Sequence, residues 1–96
     1  MSHPLEKRWA VTRERLAEAF QLLQSVRSDT EAMRCYASYR DVLDHNELEL
    51  ALDALEHLAE SSALPAAVWE AFAVAAESMD LTERAANCRK MISESL

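Results

Sequence analysis

Histidine and cysteine are among the residue types in this chain that could bind a metal or act as base and nucleophile. His3, His45 and His57 have no HxxxH or HExxH spacing, so they do not predict a metal site. Cys35 and Cys88 are far apart in the sequence and form no CxxC pair. Both lie in helical patterns, which favours small buried hydrophobic side chains over ligands or nucleophiles. We therefore expect no metal, no cofactor and no catalytic residue.

Glycine is absent from the 96 residues. Phosphate-binding loops of the P-loop and dinucleotide types need glycine backbone, so these nucleotide sites are excluded. Tight β-hairpin turns also favour glycine, which argues against a β-rich fold. With 50% hydrophobic and 28% charged residues, the composition predicts one globular domain spanning residues 1–96.

The net charge of −7 is concentrated in the middle of the chain. From Asp41 to Glu83 there are eleven acidic residues and no lysine or arginine, whereas both flanking segments are weakly basic. The negative electrostatic field of this acidic segment repels nucleic acids and anionic membranes, because proteins bind both through clustered cations. It attracts a cationic protein, which is the class of partner that we predict.

Part of this charge forms a stripe on one predicted helix. At 100° per residue, its four members lie within an arc of about 60°; they are Glu49, Asp53, Glu56 and Glu60. No lysine or arginine lies four residues away on the same helix to relieve their repulsion. The stripe is either an ordinary solvated face or the charged part of an interface, to which Asp41 and Asp44 would contribute.

Helical periodicity predicts an all-α fold, a compact bundle of about five short helices arranged as helical-hairpin pairs. Three motifs resemble capping boxes, in which a polar side chain caps the helix start and a glutamate follows three residues later. They begin at Ser28, Asp44 and Asp80. The predicted helices run from Pro4 to about Val26, from the Ser28 motif to Leu43, from the Asp44 motif to about Ser61, from Pro65 to Met79, and from the Asp80 motif to about Glu94.

The fourth predicted helix is apolar on almost every side between Val68 and Ala76. A helix of this kind is usually central in the core. The competing interpretation is an exposed alanine-rich face used for self-association or docking. If Trp69 were exposed there, it would be a candidate aromatic anchor for a partner.

An offset of 34 residues superimposes two predicted helical pairs. It places Asn46 on Asp80 and Ala51 on Ala85, but it also places Leu50 on Arg84 and Leu55 on Arg89. This is the period of tetratricopeptide repeats, and the segment from residue 36 to 58 is loosely similar to one such unit.

A second similarity covers roughly residues 35 to 92. It is carried by the run from Tyr39 to Glu47, by the aliphatic segment from Leu50 to Leu55 and by the segment from Ala75 to Leu81. These segments resemble the small helical immunity proteins of bacterial polymorphic-toxin systems, of the Maf type. Leu48 stands where an aromatic residue commonly follows the glutamate, and the usual downstream glutamates are partly replaced.

The resemblance implies that Asn46 and Glu47 are family-pattern positions and that the protein binds a cognate toxin domain. For Glu47 itself, a structural role in capping is favoured over binding. Together with the charge, the resemblance predicts a non-enzymatic bacterial immunity protein that neutralises a basic toxin domain, such as a nuclease, through an acidic helical surface.

The alternative is a tetratricopeptide-like scaffold that binds peptides or self-associates, for example as a homodimer through the fourth helix. The polar N-terminus and the absence of a long apolar segment predict a cytoplasmic protein without a membrane span.

Overall fold

The computed structural model describes residues 4–60 and 64–94, and within them every regular element is an α-helix. The five helices are α1 (Pro4–Val26), α2 (Thr30–Asp44), α3 (Leu48–Glu60), α4 (Ala66–Ser78) and α5 (Thr82–Glu94). The all-α prediction is therefore confirmed. The predicted end of the third helix at Ser61 lies outside the described residues.

Two helical hairpins, α2–α3 and α4–α5, follow each other with the 34-residue offset. The last residues of α2 and α4 differ by this number, and so do the first and last residues of α3 and α5. The helices of each hairpin pack closely against one another. The offset thus describes a repeated hairpin geometry and not only a repeated sequence pattern.

The two hairpin turns have the same backbone structure. In the first, Asn46 N–H donates to the carbonyl of Leu43 and Glu47 N–H donates to that of Val42, both at 2.9 Å. In the second, the N–H groups of residues 80 and 81 donate to the carbonyls of residues 77 and 76, both at 3.0 Å. This is the pattern of a Schellman motif, whose central residue adopts a left-handed conformation.

Asn46 and Asp80 occupy the left-handed positions, with φ values of 58° and 61°. Glycine is the usual residue there, but asparagine and aspartate tolerate this region better than other side chains. The capping-box prediction is wrong at both turns, because Asp44 still belongs to α2 and Asp80 lies in the turn itself. At the third motif, Asp29 is the N-cap of α2 but makes no capping hydrogen bond, since its carboxylate pairs with Arg27.

Helix α1 packs along α4 and also contacts α3. Its buried stripe consists of residues spaced by three or four positions: Thr12, Leu16, Ala19 and Leu23. Phe20 extends the contact to α2, where its ring stacks on Tyr39 with centroids 4.8 Å apart. The principal extents are 44, 29 and 17 Å, so the molecule is flat, about as thick as two layers of helices.

Helix α4 lies in the core, as its all-round apolar pattern predicts. Its buried residues are Val68, Trp69, Phe72, Ala73, Ala75 and Ala76. Ala66, Ala67, Glu70 and Glu77 lie on the side of this helix that stays exposed. Among the described helices, none is both long enough and apolar enough to cross a membrane.

The left-handed turn predicts an unusual order of stability for substitutions at Asn46. Alanine should be less stable than glycine there by about 1 kcal/mol, because its Cβ clashes in the left-handed region. Both variants lose the side-chain contact to Arg13, so their difference isolates the backbone effect. Urea unfolding of the two variants measures this difference.

Gln21, exposed on α1, is the matched control site. There glycine should be less stable than alanine by about 1 kcal/mol, as in any helix interior. If alanine were the more stable residue at position 46 as well, the left-handed turn would be refuted.

Candidate protein-binding surface

The acidic stripe of α3 faces α5, where it meets a single arginine. Arg84 Nε donates to Glu56 Oε2 at 2.8 Å, and its Nη2 contacts Asp53. Glu49 is farther away: its Oε1 lies 4.0 Å from Arg84 Nη1, the outer limit for an ion pair. Glu60 ends α3, and its side chain lies outside the described residues. The stripe has no basic neighbour on its own helix, but Arg84 of α5 offsets part of its charge.

Exposure increases along the stripe away from Arg84. The exposed fraction of the side chain is 14% for Glu56, 48% for Asp53 and 64% for Glu49, while that of Arg84 is 24%. Burial opposes the charge of Arg84, but the hydrogen bonds to Glu56 and Asp53 outweigh it and raise the pKa of the guanidinium. Glu56 is thus mainly a structural partner of Arg84, and Glu49 is the carboxylate most available to another molecule.

Cys88 completes the buried end of this cluster. Its thiol is buried and lies 3.0 Å from Glu56 Oε1, to which it donates a hydrogen bond. Burial, followed by the hydrogen bond to Glu56 and the charge of that carboxylate, raises the pKa of the Cys88 thiol to about 12. Such a thiol is protonated at neutral pH, which agrees with the predicted structural role of this cysteine.

Two clefts flank Arg84 on this side of the molecule. One, of about 390 Å³, is lined by residues of the α4–α5 turn together with Glu49, Arg84 and Asn87. It adds the carboxylates of Asp80 and Glu83 to those of α3. The other, of about 270 Å³, shares Arg84 and Asn87 with the first and also borders Glu56 and Trp69.

We call this region the α3–α5 surface. It comprises five carboxylates, one guanidinium and one carboxamide, from Glu49, Asp53, Glu56, Asp80, Glu83, Arg84 and Asn87. It therefore keeps a marked excess of negative charge even after the ion pairs with Arg84 are counted.

Asp41 and Asp44 lie at the other hairpin turn, at the end of α2. Both are exposed, and neither has an ion pair with Arg84 within the described chain. They are close to His45, whose Nδ1 lies 2.8 Å from the carbonyl oxygen of Asp41. This hydrogen bond, helped by the nearby carboxylates, raises the pKa of His45. The structure thus gives no contact that joins these two residues to the stripe.

Trp69 does not act as a protruding anchor, because the residue is only 5% exposed. Its ring packs edge-on against Phe72 with centroids 5.6 Å apart. The anchor role was predicted only for an exposed ring, and this condition is not met because this side of α4 faces the core. What remains accessible of Trp69 borders the smaller cleft.

The two arginines that break the 34-residue repeat make ion pairs with other helices. Arg84 takes the place of Leu50 and binds the stripe, while Arg89 takes the place of Leu55. Arg89 Nη2 lies 3.0 Å from Glu70 Oε1 and 2.7 Å from Glu77 Oε1. Sequence reasoning missed this role, although the two mismatches in the repeat were its visible signal.

The Cys88 environment predicts slow reaction with iodoacetamide. In a Cys35→Ser variant, alkylation of the native protein at pH 8 should be about a thousandfold slower than in urea, because a rise in pKa from 9.0 to about 12 lowers the thiolate fraction by that factor. Adding Glu56→Gln should increase the native rate, because the carboxylate helps to hold the proton on sulfur. Equal rates in the folded and unfolded states would contradict the assignment.

Within residues 4–60 and 64–94, no three His, Cys, Asp or Glu side chains are grouped as a metal would require, and His3 lies outside this part of the chain. Compared with protein-family models, with curated proteins and with solved structures, the chain has no match in any of the three. The geometry of the α3–α5 surface and the resemblance stated above are therefore the basis for a functional proposal.

Proposed function

We propose that this chain is a non-enzymatic immunity protein that neutralises a cationic toxin domain through the α3–α5 surface. The observation that carries the proposal is the excess of acid on this surface. Four carboxylates and one guanidinium line two adjoining clefts, and Asp53 beside Arg84 adds a fifth carboxylate. A surface of this sign favours a basic protein and disfavours nucleic acids and anionic membranes.

The role of Arg84 in this proposal is to hold the carboxylates in place. A guanidinium shared among three acids fixes their geometry before the partner arrives, so less side-chain entropy is lost on binding. Glu49 and Glu83, which are exposed, remain to attract the partner at a distance. Rapid association suits an inhibitor that must act before its toxin does.

The toxin as partner comes from the resemblance. The Asn46-Glu47 pair of that pattern forms a left-handed turn here, with φ of 58° at Asn46 and a backbone hydrogen bond from Glu47 to Val42. The turn gives these two positions a structural role, and we assign the contact with the toxin to the α3–α5 surface.

Charge reversal tests the proposed interface. Glu49→Lys and Glu83→Lys should each slow association with the cognate toxin domain about tenfold at low ionic strength, with a much smaller effect at high salt. Glu14→Lys, an equal charge change on the exposed face of α1, should leave the rate within about twofold. Stopped-flow mixing measures these rates.

The proposal predicts that a neighbouring gene encodes a protein with a basic C-terminal domain, and that domain is the toxin for this assay. Co-expression should restore the growth of cells that make that domain. Absence of rescue, together with no complex at low salt, would reject the immunity function. Rescue with unchanged rates in all three variants would reject the α3–α5 surface as its interface.

A helical scaffold is the second candidate, favoured by a groove between α2 and α3. The groove has a volume of about 600 Å³, and Leu50, which is 49% exposed, lies in its wall. An apolar floor with a polar rim suits an amphipathic helix of another protein or of a second copy. Light scattering that finds only a monomer would count against self-association through this groove.

A further inference from the structure

The α2–α3 groove is the counterpart, in the first hairpin, of the cleft of about 270 Å³ in the second. When the 34-residue offset is subtracted from the numbers of the α4 and α5 residues that line the cleft, each result is a residue that lines the groove. These residues are Cys35, Leu50, Asp53, Ala54 and His57. The repeated hairpin therefore carries the same concave face twice.

The two faces differ in what covers them. In the second hairpin, α3 borders the cleft through Glu56, whose carboxylate accepts hydrogen bonds from Arg84 and Cys88. All described residues that line the groove of the first hairpin belong to α2 and α3 themselves. The groove has a volume of about 600 Å³, more than twice that of the cleft. The face that α3 borders in the second hairpin is thus open in the first.

The residue at the position of Arg84 indicates the chemistry of the helix that would cover the groove. Leu50 takes that place in the first hairpin and is 49% exposed. A leucine cannot pair with carboxylates as Arg84 does, so a covering helix must meet it with an apolar side chain. Val42 and Ala54 add further apolar surface to the same groove.

The charges of the groove allow a second copy of this acidic chain to approach it. Its two acids are paired within the chain, Glu31 with Arg27 at 3.7 Å and Asp53 with Arg84. Arg34 also lines the groove and adds a positive charge. Two such grooves bring both signs of charge to their contact, whereas two α3–α5 surfaces would repel each other.

We propose that the α2–α3 groove is the contact surface of a symmetric homodimer. In a two-fold arrangement both copies present the same face, so Leu50 of each copy enters the groove of the other. The α3 helix of the second copy covers the first hairpin, and a leucine contact takes the place of the arginine–carboxylate contact in the second hairpin. The inference does not depend on the immunity function, because the toxin is assigned to the α3–α5 surface, with which the groove shares only Asp53.

The size of the groove determines the expected strength of the dimer. It has fewer lining residues than the ~20–30 that each partner contributes to a standard interface, so we expect a dissociation constant in the micromolar range. Added salt should strengthen the dimer, because it screens the repulsion between two chains of net charge −7 and leaves the apolar contact intact. Association with a cationic toxin domain has the opposite dependence on salt.

Sedimentation equilibrium of the full chain, at low and at high salt, tests the proposal. The chain should convert from monomer to dimer as its concentration rises from micromolar to millimolar. Leu50→Glu should raise the dissociation constant at least about tenfold, because it buries two carboxylates in the apolar contact. Leu22→Glu is the matched control, since Leu22 is 38% exposed on α1, outside the groove. It should change the constant by less than about twofold.

Isotope-filtered NMR on a mixture of labelled and unlabelled chains locates the contact without a substitution. The methyl groups of Leu50 should give intermolecular NOEs to Val42 or Ala54 of the other copy. A chain that stays monomeric at millimolar concentration overturns the proposal and leaves the groove to a helix of another protein. A dimer whose intermolecular NOEs lie elsewhere, or whose dissociation constant is the same in Leu50→Glu, overturns it as well.

The growth assay separates this proposal from the immunity function. Leu50→Glu should still restore growth on co-expression with the toxin domain, because Leu50 lies outside the α3–α5 surface. A monomeric chain that restores growth rejects the dimer alone. A dimer that does not restore growth rejects the immunity function and retains the dimer.

Discussion

The contact between Arg84 and the carboxylates of α3 is the interaction on which the α3–α5 surface depends. It joins the second helix of one hairpin to the second helix of the other. Removing the arginine would leave Glu56, which is only 14% exposed, beside Asp53 and Glu49 with no compensating charge. Because an unpaired buried charge is costly, this one side chain determines both the geometry of the surface and its residual negative field.

The hairpins bring these helices together, and the absence of glycine shaped how they are built. Each turn needs a left-handed residue, and the chain uses Asn46 and Asp80 for it. The helices themselves could be predicted, because their periodicity is local. The caps could not, because Ser, Asp and Asn have the same sequence signature whether they start a helix or end one. At both hairpin turns, the tertiary structure places these residues at the end of the preceding helix or just after it.

The candidate site was predictable only in part. A helical wheel placed Glu49, Asp53 and Glu56 on one face, and the structure has them together. A helical wheel describes one helix and cannot reveal an ion pair between two helices, so the role of Arg84 was missed. Its only sign in the sequence was that an arginine stands where the 34-residue repeat has Leu50. The burial of Trp69 followed from the apolar pattern of α4, but its place at the edge of the smaller cleft depends on the neighbouring residues of α3 and α5.

A cationic partner that docks on the α3–α5 surface is the central claim of this account, and chemical-shift mapping with the cognate toxin domain tests it most directly. We expect the largest perturbations at the backbone amides of Glu49, Glu83 and Asn87, with the α2–α3 groove around Leu50 unaffected. Perturbations confined to that groove or to α1 would contradict it.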